Sequence, residues 1–177
     1  MLELPHTRLS HWLDGCLTKL GNVVSWLWVI LLLVIVLNVV MRYFFGLGRI
    51  EFEEIQWHLY ATGFLIGLSY AYVSDSHVRV DVVRMKLSPV MQAWIEFYGT
   101  ILLLLPFVFL VLYSSFPFVL HSFEAGEISD APGGLAFRWL IKSCLTVAFV
   151  LLLSAIIGRL SRVWSFLFGW PNTRRAN

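Results

Sequence analysis

The sequence predicts an all-α integral membrane protein with four transmembrane helices and an amphipathic helix at its N-terminus. Of the 177 residues, 59% are hydrophobic and 14% are charged, whereas a typical soluble domain contains about 25% charged residues. The charged residues also cluster between long uncharged stretches. This distribution argues against a soluble enzyme domain, a disordered chain and a nucleic-acid-binding protein.

The N-terminal segment 1–20 is predicted to form a helix that lies on the cytoplasmic membrane surface. Its apolar residues recur at helical spacing, and its charged residues occupy other faces. The apolar stripe consists of Leu9, Trp12, Leu13, Cys16, Leu17 and Leu20. Two interpretations stay open at this point: the helix anchors the chain to lipid, or it braces the cytoplasmic rim of a partner protein.

Residues 21–165 are predicted to form the transmembrane domain. A spanning helix needs about 20 mostly apolar residues, and four stretches satisfy this requirement. The predicted spans cover residues 22–44, 53–73, 91–119 and 137–163. Ser88 followed by Pro89 is typical of a helix start, because the serine hydroxyl caps the first turn and proline has no N–H to satisfy there. Pro106 and Pro117 are candidate kinks in the third span.

The Lys and Arg residues predict the orientation. Of the 13 Lys and Arg residues, nine flank the spans on the side that holds both chain ends, and the other four lie on the opposite side. The positive-inside rule therefore places both termini, including a tail at residues 166–177, in the cytoplasm. The loops 45–52 and 121–135 then face outward, and the connection 74–90 faces inward.

Two charged clusters are predicted at the outer surface. Glu53 and Glu54 lie at the entrance to the second span, and Arg138 and Lys142 share one face of the fourth span because they are four residues apart. Opposite charges at one depth of a low-dielectric interface are expected to pair. The clusters therefore either form a clasp between the two spans or dock a partner. The alternative is that each side chain extends separately to water.

Small residues predict a close helix contact on the second span. Gly63, Gly67 and Ala71 are four residues apart, and small residues at this spacing allow membrane helices to approach one another.

Few residues suggest chemistry. His58 and His121 lie near the outer ends of their spans, so a haem-binding redox subunit is an alternative function. No Ser/His/Asp, P-loop or paired-cysteine motif is present, so the sequence predicts neither an enzyme nor a cofactor. The spans carry no Asp or Glu at mid-depth, which argues against a chain that moves ions or charged solutes by itself.

Three short motifs, taken with the four-span layout, carry a family resemblance. The segment 39–44 (VVMRYF, with Arg42) ends the first span, and 52–55 (FEEI, with Glu53 and Glu54) opens the second. The segment 77–82 (HVRVDV, with His77 and Asp81) follows it. In this order they resemble the small membrane subunit of tripartite ATP-independent periplasmic (TRAP) transporters, over roughly residues 20–165. Phe52 stands where the family often has tryptophan.

The resemblance implies a role that composition does not show. In this family a periplasmic binding protein captures an organic acid and delivers it to a large membrane subunit, which holds the substrate and coupling-ion sites. The coupling ion is usually sodium. The resemblance thus implies a bacterial inner-membrane subunit that binds no substrate. Its expected partners are the large permease, the binding protein (transiently, through the outer loops) and membrane lipids.

Overall fold

Helices make up most of the computed structural model, which describes residues 4–77 and 86–170. No strand occurs among these residues. In chain order the elements are α1 (Arg8–Val24), α2 (Trp26–Phe45), α3 (Ile50–Val73), α4 (Pro89–Gly99), a π-helical segment (Thr100–Leu104), α5 (Leu105–Glu124) and α6 (Arg138–Phe168).

Three helical stretches of the described chain are long and apolar enough to cross a membrane. They are Arg8–Phe45, Pro89–Glu124 and Arg138–Phe168. Helix α3 has 24 residues, or about 36 Å of helix, but its first turn contains Glu51 and Glu53. The predicted all-helical fold is therefore confirmed for the described residues, whereas the number of spans stays a prediction.

The first two helices form one nearly continuous rod. Thr7 caps α1, since its hydroxyl accepts from the Ser10 backbone N–H at 3.1 Å. The rod is interrupted at Ser25, whose hydroxyl donates to a carbonyl of the preceding turn, and it ends at Gly46 in the left-handed conformation, with φ 66°. The break at Ser25 lies a few residues beyond the boundary predicted between surface helix and span.

The third predicted span begins as the sequence indicates and changes its winding midway. Ser88 caps α4 by accepting from the Met91 backbone N–H at 3.3 Å, and Pro89 is the first helical residue. The π-helical segment Thr100–Leu104 follows, and Pro106 lies just beyond it. Proline removes a backbone donor and crowds the preceding turn, so a local widening of the helix before it has a direct steric cause.

Helix α6 is the centre of the bundle. It packs against α1, α3, α4 and α5, whereas α2 packs mainly against α3. The apolar core joins α5 to α6 through Val108, Phe149, Leu152 and Ile156. The most buried helix of the described chain is therefore the last one, and its two ends carry the polar contacts described next.

The close contact predicted on the second span involves one of its two glycines. A Cβ on Gly63 would lie 3.4 Å from the Trp28 ring, so the glycine admits α2 closely against α3. A Cβ on Gly67 would meet no described atom within 4 Å. The approach of α2 therefore uses Gly63.

Candidate functional site

Polar contacts concentrate at the two ends of the bundle. We call them the loop end and the α1 end. At the loop end α3 and α6 begin, and residues 125–137, called the outer loop after their predicted orientation, connect α5 to α6. At the α1 end, α1 meets the last turns of α6. Between them, the segments 23–41, 59–74, 97–120 and 143–158 contain no Asp, Glu, Lys, Arg or His.

At the loop end, Glu54 fastens the outer loop to α3. One carboxylate oxygen accepts from the Ser129 hydroxyl, and the other accepts from the Leu135 backbone N–H at 2.6 Å. The loop itself turns sharply, since the Gly134 N–H donates to the Ala131 carbonyl at 2.9 Å. Glu54 thus satisfies donors at two separate points of one loop and fixes its position over the helix bundle.

Glu127 ties the same loop to α6. Its carboxylate accepts from the Lys142 ammonium and lies 3.8 Å from the Arg138 Nε. The Lys142 ammonium also lies 4.1 Å from the centre of the Phe118 ring, a cation–π distance. Because the Lys142 ammonium stabilises the ionised carboxylate, the pKa of Glu127 is held below its ordinary value.

The direct clasp predicted between the outer charged clusters is not formed among the described residues. Instead, Glu54 bonds to the outer loop and Lys142 pairs with Glu127 of that loop. Glu53 pairs with Arg42 at 3.7 Å. The outer loop supplies hydrogen-bond donors to Glu54 and a counter-ion to Arg138 and Lys142. The loop therefore connects α3 to α6.

The Arg42–Glu53 pair joins the first two motifs of the sequence. Arg42 belongs to the end of α2 and Glu53 to the start of α3, on either side of the short turn at Gly46. Both side chains are about half exposed or more, so the pair contributes little stability by itself, on the order of 0–1 kcal/mol.

A second network, at the α1 end, was not anticipated from the sequence. Arg159 is buried and contacts acids from two other parts of the chain: its Nε donates to Glu96 of α4, and its Nη2 lies 3.2 Å from Asp75, just after α3. The positive-inside count used Arg159 only as one of the nine charges on the side of the chain ends. The arginine instead joins α3, α4 and α6.

Arg162, one turn further along α6, holds the N-terminal helix. Its Nη1 lies 3.4 Å from the Asp14 carboxylate of α1, and both side chains are largely buried. The Thr7 and Ser161 hydroxyls share a hydrogen bond at 2.7 Å beside this pair. The i, i+3 spacing of Arg159 and Arg162 is the sequence signal that could have indicated a shared buried face.

The predicted apolar stripe of α1 is divided between two environments. Leu17 is buried against the bundle, while Leu9, Trp12 and Cys16 are exposed. Asp14, expected on an outer polar face, points instead to Arg162. Helix α1 is therefore attached to its own bundle through α3 and α6, an arrangement that neither of the two sequence-based interpretations included.

Comparison with known proteins decides the family. The family model described as "Tripartite ATP-independent periplasmic transporters, DctQ component" matches residues 31–166, most of the chain. The chain belongs to this family. A Haemophilus influenzae protein whose assigned name is TRAP transporter small permease protein is 30% identical over 136 residues, covering 77% of this chain and 81% of that protein.

The DctQ match confirms the resemblance carried by the three motifs, and it makes this chain a transporter component rather than an enzyme. The matched range includes the whole loop-end network and Arg159 and Arg162 of the α1-end network. It begins after α1, so Asp14 lies outside it. The attachment of α1 to α6 thus joins a segment beyond the matched range to the last helix within it.

The remaining sequence-predicted residues of the DctQ chain are the two histidines considered for haem and the residues of the third motif. The His58 Nδ1 donates to the Glu54 carbonyl of its own helix, and His121 is exposed in the last turn of α5. No recorded contact joins these two histidines within the described structure. His77 stacks edgewise on Tyr72, with ring centres 6.0 Å apart, while Asp81 and the rest of its motif lie outside the described residues.

Proposed function

We propose that this chain is the static, non-substrate-binding subunit of an ion-coupled secondary transporter that imports an organic acid. It anchors a large multi-span permease, which carries the acid and the coupling ion. A periplasmic binding protein delivers the acid and touches the outer loops. In this proposal four helices span the bacterial inner membrane, α3 included, with both termini in the cytoplasm.

One observation carries this proposal. The middle of every predicted span lacks ionisable residues, and the ion pairs of the described structure lie at the two ends of the bundle. A path for ions or charged solutes needs polar or ionisable ligands at mid-depth. Charges that pair at the ends fix helices relative to one another, which is what a rigid subunit requires.

The surface supports a role beside a larger partner. Large apolar side chains are exposed along α2 and α5, including Leu33, Phe44, Leu110 and Tyr113. Such a surface needs lipid or another membrane protein to cover it. Because α2 contacts mainly α3 within the chain, the opposite side of α2 is available for the large permease.

Copurification and transport together test the proposal. We expect the tagged chain, expressed with the large permease of its transporter, to retain that permease through detergent extraction and size exclusion. In proteoliposomes, acid uptake should require both membrane subunits and the binding protein, and this chain alone should give none. Elution free of the permease, or uptake by this chain alone, would contradict the proposal.

A matched pair of variants tests the rigid-subunit idea more closely. Glu54→Ala releases the outer loop from α3, whereas Glu53→Ala removes only an exposed ion pair. We expect uptake to fall in the first variant and to change little in the second, with both variants present in the membrane at equal amounts.

A further inference from the structure

A small pocket at the loop end is lined by side chains that can bind a ligand. It has a cavity volume of about 270 Å³ and is lined by Glu54, Trp57, His58, Ser129 and Arg138. Trp57 is 75% exposed at its rim. The lining thus brings together one cation, one anion, an indole and an imidazole, all from α3, the outer loop and the first residue of α6.

The carboxylate and hydroxyl oxygens of this pocket already take part in hydrogen bonds. Both carboxylate oxygens of Glu54 accept hydrogen bonds from the outer loop. The Ser129 hydroxyl donates to Glu54, and its oxygen accepts from the Ala131 backbone N–H at 3.3 Å. These oxygens therefore have little acceptor capacity left for a ligand.

The donors of the pocket are not used to the same extent. The Arg138 side chain is 39% exposed, and its recorded ion pair, with Glu127, runs through Nε at 3.8 Å. Within the described residues, its two terminal nitrogens and the Trp57 indole N–H donate no hydrogen bond. The guanidinium fork and the indole N–H of these two lining residues are therefore donors that a ligand with acceptor oxygens could use.

Charge narrows the class of ligand. Arg138 lies close enough to Glu54 to act on its carboxylate electrostatically, and Lys142 is matched by Glu127. The net charge of these four side chains is close to zero. A ligand with one negative charge is therefore tolerated, whereas a second negative charge on the ligand is repelled by Glu54. A planar oxyanion with one negative charge can accept two parallel hydrogen bonds from the guanidinium of Arg138.

We propose that this pocket binds a carboxylate group, held by the fork of Arg138 and flanked by the Trp57 indole. The carboxylate belongs either to a small free acid or to an acidic side chain of the periplasmic binding protein. The second source rests on the proposed function, whereas the first does not. The pocket would give this subunit a carboxylate contact of its own at the loop end, outside the apolar spans.

The first experiment tests the free acid. Saturation-transfer NMR on the intact membrane complex in nanodiscs compares propionate with propionamide, its neutral isostere. We expect a signal from propionate alone, with an affinity reduced about tenfold by Arg138→Gln and partly restored by Arg138→Lys, which keeps the charge without the fork. Arg49→Gln is the matched control, because Arg49 lies at the same end and pairs with Glu51 at 2.9 Å outside the pocket.

The second experiment tests the protein side chain. Association of the binding protein with the nanodisc complex is measured for Arg138→Gln and Arg49→Gln at low and high salt. The carboxylate contact predicts an affinity at least about fivefold weaker in the Arg138 variant alone, with a smaller salt dependence. An effect in either experiment supports the proposal and identifies the source of the carboxylate.

The proposal is overturned if Arg138→Gln binds propionate and the binding protein as the wild type does, or if neither ligand binds the wild type. Folding of the variant is checked by its elution with the large permease. That same copurification decides the proposed function separately, so a negative result for the pocket leaves the scaffold role intact.

Discussion

Breaking the Asp14–Arg162 pair should destabilise the protein far more than a typical surface substitution. The Nη1–Oδ2 distance is 3.4 Å, and the two side chains are 15% and 9% exposed. At this distance, Coulomb's law with an effective dielectric constant near 20 gives an attraction of about 5 kcal/mol. Desolvation opposes this attraction and is the larger effect at Asp14, since burial raises the pKa of its carboxyl despite the nearby guanidinium of Arg162. Removal of one partner of a buried pair still costs about 3–5 kcal/mol, because the other polar group stays buried.

Three variants separate the pair from its surroundings. Arg162→Met leaves the Asp14 carboxylate buried without its cation, and Asp14→Ala leaves the guanidinium without its anion. Each single variant should lose about 3 kcal/mol or more of unfolding free energy. The double variant contains neither charge and should be more stable than either single variant.

The assay is equilibrium unfolding of the purified chain in mixed micelles, followed by tryptophan fluorescence during titration with SDS. Trypsin cleavage at Lys19 of α1 provides a local readout, since release of the helix from α6 exposes its backbone. The two single variants should be cut faster at this site. If the losses of the single variants simply add in the double variant, the two residues are not coupled and the reasoning is wrong.

Three further changes have defined outcomes. A Cβ on Gly21 would overlap the Tyr70 ring, so Gly21→Ala should cost about 1–3 kcal/mol in the same unfolding assay, and adding Tyr70→Ala should recover part of the loss. Glu54→Ala should speed proteolysis within the outer loop, whereas Glu53→Ala should leave the rate unchanged. The pKa of Glu127 is lowered from 4.5 by its lysine partner. The contribution of this ion pair to stability is therefore present above pH 4.5 and is lost as the pH falls through the folded-state pKa. Glu127→Gln should remove that part of the acid sensitivity, measured as the rate of loop proteolysis against pH.

The helices were predictable because local signals determine them. Apolar length located the long helices, and the hydroxyl–proline pair Ser88–Pro89 located the start of α4. The π-helical segment was not predicted as such, although Pro106 indicated a disturbance there. The family could also be predicted from the sequence, because its three motifs are short and follow one another in the family's order.

The partners of the charged residues were much harder to predict. Glu127 lies in a loop for which the sequence predicts only an outward orientation, but the loop folds back and places Glu127 against Lys142. Loop conformation has no periodicity from which a contact could be inferred. Asp14 and Arg162 lie near opposite ends of the chain, so only the packing of α1 on α6 brings them together.

The hydrogen bond between Thr7 and Ser161 has a consequence for biosynthesis. A nascent chain emerges from the ribosome with α1 first, yet part of the surface that receives α1 belongs to the helix translated last. Until translation reaches that helix, α1 can pack only against α3, and its polar contacts with α6 cannot form. Polypeptides truncated before residue 161 would therefore keep an incompletely docked leading helix, a feature by which membrane quality-control proteases could recognise incomplete copies.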